Sequence, residues 1–139
     1  VIVYPQIKRY KQRTAKAIGK TVSYDDAIDH LARSPLFIEA LDRGDMATIG
    51  ALLEDRFHTP QLVRNHPHYD DAVDAARHAG AVGVTLSDMG PALVAFTRDY
   101  HHDVKDAICN VFKQNDVAVQ SWVLPIDRQG VAVSMTQSV

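Results

Sequence analysis

The residues with the clearest potential for chemistry form a small polar turn, Ser87-Asp88-Met89-Gly90, between two apolar runs. The runs, residues 82–86 and 92–96, are rich in β-forming side chains, so the segment predicts a strand, a tight turn and a returning strand. Backbone N–H groups in such a turn can converge on an anion, most easily where glycine permits positive φ. An ordinary hairpin turn without a ligand is the alternative interpretation.

Three histidines in one polar segment, His58, His66 and His68, are the other candidates for chemistry. Their spacing lacks the i, i+4 geometry of a helical metal site, and no cysteine or evident carboxylate completes a ligand set. We therefore expect no metal ligands in this chain. The single cysteine, Cys109, excludes an internal disulfide, and its place on the apolar side of a predicted helix indicates a buried, inert thiol.

The bulk composition describes one folded domain. The 139 residues are 46% hydrophobic and 23% charged, which is enough apolar material for a core. A net charge of -2 argues against nucleic-acid binding, because a basic surface is lacking. No apolar run approaches the ~20 residues that span a bilayer, and no signal peptide is evident, so we expect a cytoplasmic protein without membrane contact. A start in a β-type run without Met suggests a domain cut from a longer protein.

Hydrophobic periodicity predicts a strand, several helices, a hairpin that contains the turn, a helix and two further strands. Ser23 and Asp45 are predicted N-caps, Gly44 ends the helix between them, and Pro35 either starts a new helix or kinks a long one. The predicted strands are residues 1–4, 82–86, 92–96, 117–124 and 131–133; the predicted helices are residues 8–18, 24–43, 45–57, 69–79 and one that starts at Asp99 or Asp103; residues 58–67 are a polar loop. The fold is therefore α+β, an antiparallel sheet with helices on one face, ferredoxin-like in its second half. We expect one domain over residues 1–134 and a frayed tail over 135–139.

Four segments carry a resemblance to a known family. They are Val1-Ile-Val-Tyr-Pro-Gln-Ile-Lys8, Leu53-Glu-Asp-Arg-Phe-His-Thr-Pro60, the turn with its flanking strands at residues 80–96, and Asp127-Arg-Gln-Gly-Val-Ala-Val133. Together they resemble the C-terminal domain of the GHMP-type small-molecule kinases, most of all the homoserine kinases. The third segment is similar to that family's glycine-rich Ser-Gly-x-Gly-Pro turn.

The resemblance implies a phosphotransferase with ATP and Mg²⁺ as cofactors. Its members move the γ-phosphoryl group of ATP to the hydroxyl of homoserine, a step of threonine biosynthesis. The phosphate loop, the catalytic Asp and most nucleotide contacts belong to an N-terminal ATP-binding domain that this chain lacks. The resemblance therefore implies no catalytic residue here, a substrate-side role, and no activity without that partner domain.

The same resemblance assigns the site residues of this chain. It implies substrate binding by His30, Arg33 and Arg64, and cofactor binding by Ser87, Asp88 and Gly90. A solvated helix face is the alternative interpretation for His30 and Arg33, and a polar loop for Arg64. The sequence departs from the family pattern at Ala15 and Leu62, where the family has arginines, and at Asp88, where it has glycine.

Two further interpretations remain open. The chain can be a non-catalytic ferredoxin-like module that binds a small metabolite or pairs with itself as a homodimer. It can also be half of a degenerate kinase that keeps the fold as a scaffold.

Overall fold

The computed structural model describes residues 1–16, 19, 21–127 and 129–134; the predicted tail at 135–139 lies outside them. The chain runs through a strand, several helices, a two-strand hairpin, a helix and a strand, which is the predicted order up to residue 124. Their bounds are β1 Ile2–Pro5, α1 Tyr10–Thr14, α2 Tyr24–Arg43, α3 Met46–Leu52, α4 Thr59–Leu62 followed by a 3-10 turn at Val63–Asn65, α5 Tyr69–His78, β2 Gly83–Leu86, β3 Leu93–Phe96, α6 His101–Gln114 and β4 Val119–Trp122.

The four strands form one antiparallel sheet in the order β2-β3-β1-β4. β1 lies between β3 and β4, so a crossover joins β1 to β2 and another joins β3 to β4. This is the ferredoxin-like arrangement, a split βαβ unit repeated around one sheet. The sheet contains all four strands of the described residues. The predicted α+β class is confirmed.

The hydrophobic core lies between one face of the sheet and helices α5 and α6. Alternate strand residues point to that face, as the two-residue period of a strand requires. The core consists mainly of Val3, Val84, Leu86, Leu93 and Ala95 from the sheet and Ala72, Val73, Ala76, Val104, Ile108, Cys109 and Phe112 from the helices. The predicted burial of the Cys109 thiol is confirmed.

Helices α2 and α3 contact the opposite face of the sheet, near the β2–β3 edge. The Phe37 ring meets the Phe96 ring edge to face at 6.0 Å. Gly50 of α3 lies directly on β2, because a Cβ atom there would stand 2.3 Å from the carbonyl oxygen of Val82. The absent side chain at Gly50 thus sets how closely α3 approaches the sheet.

The predicted ends of α2 are confirmed. The Ser23 hydroxyl accepts a hydrogen bond from the Asp26 amide at 3.0 Å, and Gly44 ends the helix with φ 66. Pro35 lies inside one continuous helix, so it does not start a new one. The Ser34 hydroxyl donates to the carbonyl oxygen of His30 one turn earlier.

Three predictions of local structure are wrong. The helix predicted over residues 45–57 ends at Leu52. Residues 58–67, predicted as a loop, contain α4 and the 3-10 turn, because Asp55 accepts the amides of Phe57, His58 and Thr59 and Pro60 stands in the first helical turn. Residues 131–133, predicted as a strand, pair with no strand among the described residues, and their side chains are exposed. Apolar alternation alone does not make a strand without a neighbour to accept its hydrogen bonds.

Candidate functional site

The Ser87–Gly90 turn keeps a glycine-like backbone although aspartate stands in it. The Gly90 amide donates to the carbonyl oxygen of Ser87 at 2.8 Å, which closes a β-turn, and the Ser87 amide donates to Ala92 at 2.8 Å. Asp88 takes φ 50 and Gly90 takes φ 71, both in the left-handed region. Among the described residues neither the Asp88 nor the Met89 amide donates a hydrogen bond. Two N–H groups at the tip are therefore available to an anion.

Two buried side chains, those of His66 and Tyr10, contact the residues at the end of the turn. The Nε2 atom of His66 lies 2.8 Å from the carbonyl oxygen of Pro91, which follows Gly90 through a cis peptide bond. The Tyr10 ring lies against Gly90 and meets the His66 ring edge to face at 5.6 Å. The turn thus rests on side chains from two distant segments of the chain.

A second group of polar residues lies on α2 beside the end of α3. His30 and Arg33 line a cleft of about 370 Å³ that extends to Glu54 and, on β2, to Thr85. Its size is that of a small-molecule site. Thr85 stands two residues before Ser87, so the cleft and the turn share strand β2.

Ion pairs and a ring contact fix the two α2 side chains. The guanidinium of Arg33 lies 2.7 Å from the Asp29 carboxylate and 3.7 Å from that of Glu54, and its side chain is only 19% exposed. His30 stacks on the Phe57 ring with 4.5 Å between centroids. Arg33 therefore stands in the cleft with its charge already partly balanced.

Asp55 organises the segment that closes this cleft. Burial pushes its pKa up, but the amides of Phe57, Thr59 and His58 and the Thr59 hydroxyl all donate to the carboxylate and lower the pKa below its ordinary value. Asp55 is therefore charged and structural, a cap for the chain that leads into α4. No part of the sequence pattern alone predicted this role.

Arg64 lies apart from His30 and Arg33. It is exposed on the 3-10 turn, forms no ion pair with the described residues and does not line the α2 cleft. Leu62, where the family has an arginine, is 1% exposed and belongs to the core, so it cannot contact a ligand. Ala15 is exposed just after α1.

The described residues contain no cluster of three metal-ligating side chains. His66, one of the three histidines of the polar segment, is buried at 3% exposure, and His68 starts α5 with φ 61. In the same described ranges, no helix combines the length and the apolar character that crossing a membrane requires.

The backbone amides of the turn suit the phosphates of a nucleotide, whereas the described side chains form no site for its Mg²⁺. The free amides of the turn suit a phosphate oxygen, whereas the exposed Asp88 carboxylate repels it. Mg²⁺ prefers several oxygen ligands, which the described residues do not assemble here. Any Mg²⁺ would depend on groups outside the described residues and on the phosphates themselves.

Comparison with known proteins shows that this chain is similar to part of the homoserine kinases. The chain is 30% identical to homoserine kinase of Pyrococcus abyssi over 128 residues, which is 92% of this chain and 43% of that protein. It is 32% identical to homoserine kinase of Thermococcus kodakarensis over 123 residues, 88% of this chain and 42% of that protein. The chain thus spans less than half the length of the curated relatives it matches.

Solved structures show the same fold. The crystal structure of homoserine kinase from Cytophaga hutchinsonii superposes with a TM-score of 0.82 at 21% identity, covering 93% of this chain and 42% of that one. The model of the family described as "GHMP kinases C terminal" matches residues 37–114, more than half of the chain. The α2 cleft and the Ser87–Gly90 turn therefore stand in a chain that belongs to the GHMP kinase C-terminal family.

Proposed function

We propose that the chain is the substrate-side domain of a homoserine kinase-like enzyme, which transfers the γ-phosphoryl group of ATP to the hydroxyl of a small amino-acid substrate. The observation that carries the proposal is the Ser87–Gly90 turn. Asp88 takes φ 50 there, in the left-handed region that glycine adopts most easily, and the amides of Asp88 and Met89 donate to none of the described residues. Phosphoryl transfer depends mainly on positioning and on stabilising spread-out negative charge, which such amides supply.

The substrate side of the proposal uses the α2 cleft and an exposed cation outside it. His30 and Arg33 line the cleft, and Arg64 is an exposed guanidinium that pairs with none of the described carboxylates. A guanidinium binds a carboxylate with two parallel hydrogen bonds. We assign the carboxylate of the substrate to Arg33, which exchanges one of its present partners on binding. Arg64 lies outside the cleft and would contact the substrate only from the side of the 3-10 turn.

The partner domain is proposed to cover the outer side of α2. Four apolar residues, separated in turn by four, three and seven positions, form an exposed stripe on this helix: Tyr24, Ile28, Leu31 and Ile38. An unpartnered stripe of this kind is unusual on a helix that faces only water. The relatives are more than twice as long as this chain, so the remaining part of such a polypeptide is the occupant we propose. ATP, Mg²⁺ and the catalytic groups would come mainly from that part.

The test is turnover by the full-length polypeptide that contains this chain, purified from a host without its own homoserine kinase. We expect ADP release from ATP that depends on homoserine, and none from residues 1–139 alone. Turnover by residues 1–139 alone would contradict the division of labour. Absence of both homoserine turnover and ATP binding in the full-length protein would favour the non-catalytic module.

Leu31→Glu tests the stripe in the same full-length protein. A charge on a docking face opposes burial, so we expect loss of turnover and an earlier unfolding transition. Arg43→Glu, on the exposed end of the same helix, is the matched control and leaves turnover unchanged. A change from dimer to monomer in light scattering, with turnover intact, would instead assign the stripe to a contact between two copies.

A further inference from the structure

Among the described residues, the buried imidazole of His66 makes one hydrogen bond, and its partner is Pro91, which follows the Ser87–Gly90 turn. His66 is 3% exposed and comes from the end of the 3-10 turn, 25 residues before Pro91. Its Nε2 atom lies 2.8 Å from the Pro91 carbonyl oxygen. Core histidines are uncommon, and a single hydrogen bond to a loop carbonyl is a position-sensitive contact.

The contact with Pro91 determines which nitrogen of the His66 ring carries the proton. A carbonyl oxygen only accepts, so Nε2 carries the proton and donates it. Nδ1 is then the unprotonated nitrogen, and among the described residues it has no hydrogen-bond partner. Burial lowers the pKa of His66, with the Pro91 contact opposing that effect, so the ring is neutral near pH 7.

Tyr10 contacts the turn at Gly90, the residue before Pro91. Its side chain is 2% exposed, and its hydroxyl has no hydrogen-bond partner among the described residues. A Cβ atom on Gly90 would stand 2.5 Å from that hydroxyl oxygen. Any side chain at position 90 would therefore displace Tyr10, and the missing side chain lets the tyrosine hold the turn at close range.

We propose that His66 and Tyr10 are positioning residues for the Ser87–Gly90 turn, which hold its free Asp88 and Met89 amides in place to meet a nucleotide phosphate. The proposal rests on the proposed function for the identity of the ligand. It assigns roles to two residues that touch no ligand. They act through Pro91 and Gly90, which they contact directly.

Two substitutions at position 66 separate positioning from packing, both made in the full-length protein. His66→Phe keeps a ring for the edge-to-face contacts with Tyr10, Tyr69 and Phe112 but removes the donor. His66→Gln places an amide nitrogen near the former Nε2 position and restores a donor to Pro91. Tyr69→Phe is the control, since it alters a ring neighbour of His66 that does not touch the turn.

The readouts are hydrogen exchange of the Ser87 and Gly90 amides, which close the turn, and the ATP dependence of turnover. For His66→Phe we expect roughly tenfold faster exchange at both amides and a KM for ATP raised by a similar factor, with kcat changed less. His66→Gln restores both values toward those of the unaltered protein. Tyr69→Phe changes neither.

Each contrary result has a separate meaning. Unchanged exchange in a folded His66→Phe variant overturns the proposal, because the turn then holds its shape without the contact. Faster exchange with an unchanged KM for ATP also overturns it, since the turn would not meet the nucleotide. Should the unaltered protein bind no ATP, the proposed function fails, and the exchange of the two amides still decides whether His66 holds the turn.

Discussion

The Nε atom of Arg33 lies 2.7 Å from Oδ2 of Asp29, one helical turn earlier on α2. Glu54, two residues after α3, contacts the same guanidinium through its carboxylate and its carbonyl oxygen. The arginine is therefore oriented before any ligand arrives, and a cation held in this way loses little conformational entropy when it binds a carboxylate. The pairing links α2 to the segment that closes the cleft.

Arg33→Met tests the role of this arginine. Hydrogen bonds to charged groups contribute roughly 1.5–3 kcal/mol, so we expect the KM for homoserine to rise roughly 10- to 100-fold in the full-length protein. Steady-state kinetics at saturating ATP measures the change. Arg43→Met is the control, because Arg43 forms the same i, i+4 pair with Glu39 on the same helix, away from the cleft. Equal effects of the two substitutions would show that Arg33 acts only on the stability of α2.

Asp88→Gly tests whether the carboxylate opposes phosphate binding. Removing a negative charge and a Cβ atom from the tip should lower the KM for ATP several-fold. Asp116→Gly is the control, because Asp116 also takes positive φ, 58, at the end of α6. Both substitutions relieve left-handed backbone strain of about 1 kcal/mol. The greater conformational freedom of glycine in the unfolded chain offsets part of that stabilisation. A fall in KM for both variants, or for neither, would remove Asp88 from the site.

Gly50→Ala tests the close approach of α3 to the sheet. The new Cβ atom would meet the Val82 carbonyl oxygen, so α3 must move away from β2. Overpacking of this kind costs about 1–3 kcal/mol. The better helix propensity of alanine offsets about 1 kcal/mol of that cost, so urea unfolding should show a net loss of up to about 2 kcal/mol. Gly19→Ala, whose Cβ would meet only ordinary contacts at 3.7 Å, should change the free energy of unfolding by less than about 0.5 kcal/mol.

The stability of the fold should fall as the pH drops below about 6.5, the ordinary pKa of histidine. Burial lowers the pKa of His66 in the folded protein, where the titratable groups that face it are Tyr10, Tyr69 and His68. The unfolded chain therefore takes up this proton first, and stability is lost between the unfolded pKa and the lower folded one. Uptake of one proton by the unfolded chain lowers the free energy of unfolding by at most about 1.4 kcal/mol per pH unit.

Urea unfolding at several pH values, for the unaltered protein and His66→Gln, measures this contribution. The substituted chain lacks the titrating group, so its stability should fall less steeply with decreasing pH. Parallel curves for the two proteins would show that His66 does not take part in the pH dependence.

Local patterns predicted much of the fold because the chemistry involved is local. Ser23 and Asp45 cap their helices as their side chains allow, and Gly44 ends α2 at the positive φ that glycine tolerates. The prediction of a loop over residues 58–67 failed because Asp55, three residues before the predicted loop began, accepts the amides of the chain that leads into α4. The predicted strand at 131–133 failed because strand formation needs a neighbour, which sequence periodicity does not supply.

The sequence by itself determined the α+β class, the tight turn at residues 87–90 and the resemblance to the GHMP kinases, since each follows from short-range pattern or motif. Only the tertiary structure showed that Asp29 and Glu54 hold Arg33, that Arg64 lies apart from it, and that Leu62 is buried in the core. It alone brought His66 and Tyr10 beneath the turn from segments far apart in the chain. The physical reason is that such contacts arise when helices pack on the sheet, and their energies depend on distances that no spacing along the chain encodes.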